Sequence, residues 1–117
     1  MIVYISGPYR AKTEWGVEQN IHRAMDAAAE VWAAGHVAIC PHGNTAHMGG
    51  LATHDEFIAG DLEIIERCCD AMIMLEGWED SEGAVIEHDH MNVLDRPIFY
   101  GAENFKRWLK KQRAAKR

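Results

Sequence analysis

"IVYISGPYR", Ile2–Arg10, is the stretch on which the fold turns. Ile2 to Ser6 are β-branched, aromatic or small, carry no charge, and stop at Gly7-Pro8. A short apolar run of this kind, ended by a tight turn, reads as a buried strand. Its apolar residues do not alternate with polar ones, so both faces of the strand are covered, as in a parallel sheet clothed by helices.

The chain repeats the pattern outward from there. Residues 14–34 place Val17, Ile21, Ala24, Ala28 and Trp32 at helical spacing, and Gly35 is a natural stop. "HVAIC" (36–40) reads as a second strand and "PHGNTAHMGGLA" (41–52) as a loop. "THDE" (53–56) is a capping box, opening a helix that runs to about Arg67. "DAMIMLE" (70–76) is a third strand, Ser81 or Glu82 opens a helix ending near Leu94, "RPIFY" (96–100) is a fourth strand, and residues 103–115 form a final amphipathic helix. Strands alternating with helices predict an α/β fold in three layers: a four- to five-stranded parallel sheet with helices on both faces, Rossmann- or flavodoxin-like. At 117 residues the expectation is one domain spanning 1–117, with a basic C-terminal helix over 103–117. Ligands of such sheets bind beyond the strand C-termini, where strand order reverses. "SGPYR", "CPHGNTAH" and "GWEDSEG" leave those ends.

Composition narrows the function classes. Three cysteines, Cys40, Cys68 and Cys69, form no CxxC pair, and an odd count with an adjacent pair argues against a disulfide framework. The first residues lack the long apolar core of a signal peptide, and no apolar run approaches the ~18 residues of a membrane span. A soluble, cytoplasmic protein without membrane contact is expected. All 18 acids precede Lys106, whereas seven of the 12 basic residues lie in Lys106–Arg117. So acidic a body would repel a phosphate backbone, and the tail has only Trp108 to stack on a base. The tail reads better as a solvated helix with cations near its C-terminal dipole end than as a nucleic-acid arm.

Two acids stand on apolar faces. Glu87 shares a helical face with Ala84, Met91 and Leu94, and Asp61 falls inside the arc of Phe57, Ile58, Ile64, Ile65 and Cys68. An unpaired buried carboxylate is costly, so each is either held by a helix end or an arginine, with Arg10 the obvious partner, or is placed for chemistry. Paired carboxylates suit reaction at an anomeric carbon. Ser81, at a helix N-terminus beside Gly83, could hold a phosphate or simply cap the helix. His42, just past the second strand, could touch a ligand. Trp15 and Trp78 flank the expected mouth and could stack on a base or pack in the core. The P-loop and dinucleotide glycine patterns are absent, and the spacing of His42, His47 and His54 fits no standard zinc motif. Neither metal nor cofactor is expected.

"VYISGPYR", "DLEIIERCCDAMIML" and "SEGAVIE", in that order and spacing, resemble the nucleoside 2-deoxyribosyltransferase-like superfamily, which includes the 2′-deoxynucleoside 5′-phosphate N-hydrolases. The resemblance spans roughly residues 2–100, within a small branch frequent in phage genomes. It implies cleavage or exchange of the N-glycosidic bond of a deoxynucleoside or its 5′-monophosphate. The matching positions imply Glu87 as the nucleophile at C1′, Asp61 assisting the departing base or orienting the sugar, and Tyr4 lining the same pocket. Ser6, Gly7, Arg10, His42, Ser81 and Gly83 are the expected substrate-binding positions, with Gly7, Arg10 and Ser81 around the phosphate. Pro8 stands where the hydrolases carry another phosphate-binding serine. The family habit and the apolar face of the last helix imply a homodimer. The rival expectation is a non-catalytic nucleotide-binding or assembly module of the same fold.

Overall fold

A computed structural model describes residues 1–44, 48 and 50–115. Residues 45–47 and 49 of the expected loop, His47 among them, and the final two basic residues lie outside this set. The elements are β1 (Ile2–Ser6), α1 (Glu14–Ala33), β2 (Val37–Ile39), α2 (Pro41–Asn44), α3 (His54–Cys68), β3 (Ala71–Met74), α4 (Glu82–Val93), β4 (Ile98–Tyr100) and α5 (Ala102–Ala115). The strands form one parallel sheet in the order β2-β1-β3-β4. Chain order therefore reverses between β1 and β3, whose neighbours run from Val3 and Ala71 to Ser6 and Met74.

Strand alternation sorts the core into two layers. Val3, Ile5, Ala71 and Ile73 pack with Ala24, Ala28 and Val31 of α1 and Phe105 and Leu109 of α5. Tyr4, Met72 and Met74 pack on the opposite face with Ile65 of α3 and Ala84 and Met91 of α4. The expected three-layer α/β architecture is present, with four strands.

Local chemistry sets the boundaries. Gly35, at φ +87°, breaks α1 in a left-handed conformation that glycine adopts without a Cβ clash. The capping box is made: Glu56 N–H donates to Thr53 Oγ1 (3.1 Å), and Thr53 N–H donates to Glu56 Oε1 (2.9 Å). Three expectations need correction. Residues 41–44 make one helical turn where a loop was expected. Trp32 is 56 % exposed, because Val31 and Asn20 take the buried stripe of α1 instead. Cys68 is exposed at the end of α3 while Cys69 turns inward. The apolar face of α5 is spent on its own sheet, through Phe105 and Leu109, so it lends a homodimer no support. Among the described residues, no helix is long and apolar enough to cross a membrane.

Candidate active site

β1 brings two hydroxyls to one carboxylate. Period-two alternation points Tyr4 and Ser6 to the same face of the sheet, toward α4. Tyr4 Oη donates to Glu87 Oε2 (2.5 Å), and Ser6 Oγ donates to Oε1 (2.7 Å). Glu87 is 5 % exposed, and Tyr4 and Ser6 have no exposed surface. The acid on the apolar face of α4 is thus held by strand hydroxyls. Arg10, the partner expected from sequence, is exposed and forms no ion pair with it among the described residues.

Above Glu87 opens a cleft of about 790 Å³ at the C-terminal ends of β1 and β3. Gly7, Arg10, His42, Asp61, Ser81, Gly83 and Glu87 all line it. Tyr4 and Ser6 do not; they lie beneath it and hold its acids, Ser6 through Glu87 and Tyr4 through Glu87 and Asp61, where substrate contact was expected. Trp15 and Trp78 also stay out of it. Trp15 is 70 % exposed on the outer face of α1, and Trp78 stacks on His88 at 4.3 Å.

Burial is the main cause of the unusual electrostatics. It pushes Glu87 up to about 7; the Tyr4 and Ser6 hydrogen bonds oppose the shift and nearby Asp61 adds to it. Burial also raises Asp61, against the pull of hydrogen bonding to Glu87 and Tyr4. The two acids are coupled and titrate as a pair, with a proton affinity above that of an ordinary carboxylate. Burial, then the charge of Glu87, drives Tyr4 far above the ordinary phenol range, so it stays a donor.

The rim is built from backbone held by side chains. A Cβ on Gly7 would come 2.7 Å from Leu75 Cβ, so only glycine lets β1 leave the sheet here. His42 is buried, and its Nε2 donates to the Pro8 carbonyl (2.8 Å), which can only accept. Burial lowers the pKa of this imidazole, keeping it neutral. Ser81 caps α4 by accepting from Ala84 N–H (3.2 Å), which leaves its own hydrogen for a ligand.

The family model described as "Domain of unknown function (DUF4406)" matches residues 1–100. The chain belongs to the DUF4406 family. No curated protein matches it. The DUF4406 match covers every element from β1 to β4, and so every wall of the cleft.

Sequence reasoning gave no site role to Asn20, Arg23 and His54, which are among the side chains of this DUF4406 cleft. Asn20 is buried; its Nδ2 donates to the Tyr9 and Arg10 carbonyls (3.1 and 3.4 Å), and its Oδ1 accepts from Arg23 (2.6 Å). Arg23 and His54 line the cleft. Asn20 carried the same signal as the acids: a polar residue on the stripe Asn20, Ala24, Ala27, Val31. Among the described residues, no three His, Cys, Asp or Glu side chains converge to hold a metal ion.

Proposed function

We propose that this DUF4406 protein cleaves or exchanges the N-glycosidic bond of a 2′-deoxynucleoside or its 5′-monophosphate. One observation carries the reading: a carboxylate on the floor of a cleft, both oxygens oriented by hydroxyl donors, with a second acid beside it. The resemblance to the nucleoside 2-deoxyribosyltransferase-like superfamily points to the same residues.

Glu87 Oε attacks C1′ as the C1′–N bond breaks. The electron pair leaves with the base nitrogen, which takes the proton of Asp61. The Asp61 carboxylate then removes a proton from water, whose oxygen bonds C1′ and returns the electron pair to Glu87. A second base bearing N–H in place of water gives exchange. Each cycle restores one proton to the pair, and the raised proton affinities of both acids suit them to hold it. Arg10, Arg23 and the Ser81 hydroxyl are donors on the walls suited to sugar or phosphate oxygens.

The cytoplasm is the proposed setting, in keeping with three free cysteines. A homodimer belongs to the reading, and sedimentation velocity tests it. The decisive assay incubates the protein with deoxynucleosides and their monophosphates and follows free base by chromatography. Base is expected from the wild type and not from Glu87→Gln. Base release undiminished in Glu87→Gln rules out the mechanism; binding without release from any substrate points to a non-catalytic module.

A further inference from the structure

Four side chains of α3 face the cleft at helical spacing: His54, Phe57, Ile58 and Asp61, at i, i+3, i+4 and i+7. The chemistry above uses only Asp61. Ile58 and Phe57 are half-buried and apolar. Ile58 reaches the cleft because Gly83 gives it room: a Cβ there would stand 3.1 Å from Ile58 Cδ1. His54 is different in kind. Its Nε2 is buried and has no hydrogen-bond partner among the described residues. Buried polar atoms in folded proteins are nearly always paired, and an orphan beside a cleft points to a partner that the described residues do not supply, such as a ligand. The His Cβ–Cγ torsion is soft, so a modest turn of the ring presents that nitrogen to the cleft without backbone movement.

We propose that His54, Phe57 and Ile58 form the nucleobase subsite, with His54 reading the polar edge of the base. The proposal rests on the N-glycosidic reading, because Asp61 and Glu87 fix where the scissile nitrogen lies. Counting back from Asp61 along the helix axis, Ile58 lies roughly 5 Å away, Phe57 roughly 6 Å and His54 roughly 10 Å. A base whose glycosidic nitrogen meets Asp61 therefore lays its ring face along Ile58 and Phe57 and turns its far edge to His54. Apolar and aromatic surface suits any ring face and does not choose among bases. An imidazole donates from one nitrogen and accepts at the other, so it distinguishes bases by the groups on their edges. Selectivity among bases thus concentrates in His54.

The test measures binding by titration calorimetry and base release by chromatography, using the 2′-deoxynucleoside 5′-monophosphates of adenine, guanine, cytosine, thymine and uracil. 2-Deoxyribose 5-phosphate is the base-free control. His54→Phe keeps the bulk and removes both nitrogens, whereas His54→Gln keeps donor and acceptor. The wild type is expected to discriminate among the five. His54→Phe should weaken the best-bound monophosphate about tenfold or more and flatten the spread, His54→Gln should recover part of it, and the control should be unchanged. On the wild type, the imidazole ¹⁵N resonances of His54 should move with the best-bound monophosphate and stay still with the control. An unaltered spread in His54→Phe, equal weakening of the control, or unmoved His54 resonances overturns the subsite. If the wild type binds the monophosphates in a His54-dependent order but releases no base, the glycosidic reading falls and the subsite stands. If base is released and His54→Phe keeps the wild-type order, the subsite falls and the glycosidic reading stands.

Discussion

Glu87 loses solvent on folding and gains two hydroxyl donors, and burial outweighs the donors, leaving it at about 7. The reactive form has Glu87 ionised and the pair's one proton on Asp61. Added acid puts a second proton on the pair, and alkali removes the first, so kcat/KM is expected to trace a bell with its alkaline limb near 7. Asp61→Asn should cut the rate and abolish the alkaline limb. It should also lower the titration of Glu87, because Asp61 raises it. Tyr4→Phe removes a bond that favours the carboxylate, so the Glu87 titration should move up. A pH–rate profile of the three proteins checks all three signs. The same shift has a stability consequence. A carboxyl whose proton affinity rises on folding favours the folded state below its unfolded value of 4.5, and that benefit is lost as pH climbs toward 7. Glu87→Gln should therefore be inactive yet more stable than the wild type at pH 8, by about 1–3 kcal/mol. Urea melts at pH 5 and pH 8 measure this; a gain no larger at pH 8 than at pH 5 contradicts it.

Helix α3 supplies Asp61 and the proposed base wall, yet Ile65 is its only buried side chain. Its ends hold it instead. The Thr53–Glu56 box fixes the start. At the other end Arg96 donates to the Ile65 and Cys69 carbonyls (2.8 and 2.9 Å) and to that of Glu66 (3.0 Å). Thr53→Ala is expected to cost about 1 kcal/mol, and Arg96→Ala about 2 kcal/mol, since a cation serving helix-end carbonyls makes stronger bonds than a neutral donor. Both should also slow turnover by loosening Asp61, and denaturant melts beside kinetics would show the two losses together. The start of this helix was legible in "THDE", because capping is local in sequence. Arg96 was not: it read as the first residue of a strand, and its partners lie 27 to 31 residues back. Glu87 and Asp61 were legible for the same reason as the helices, by breaking an apolar stripe. That Tyr4 and Ser6, rather than Arg10, hold Glu87 depends on which strand lies under α4, and only the assembled sheet decides this.

At the scale of the molecule, the cleft is a seam between two stretches of chain. β1, α1 and α2 supply one wall, with Gly7, Arg10, Arg23 and His42; α3 and α4 supply the other, with Asp61, Ser81 and Glu87. The strand order β2-β1-β3-β4 makes this so, because the connections from β1 and β3 depart in opposite directions along the sheet and leave a gap between them. A ligand in that gap touches both walls only in the folded state and must stabilise the fold by mass action, by about 2.7 kcal/mol at one hundred times its dissociation constant. For a domain of this size that is roughly 10 °C in melting temperature. Glu87→Gln, which does not turn over, is the protein to use, melted with increasing deoxynucleoside 5′-monophosphate. Arg23→Ala on one wall and Ser81→Ala on the other, each placed in that background, should each shrink the ligand-induced shift relative to its own ligand-free melt. That comparison matters for Ser81, whose loss also removes the cap of α4. A shift that survives either substitution in full would mean that the ligand rests on a single wall, and that the reversal of strand order does not build the binding site.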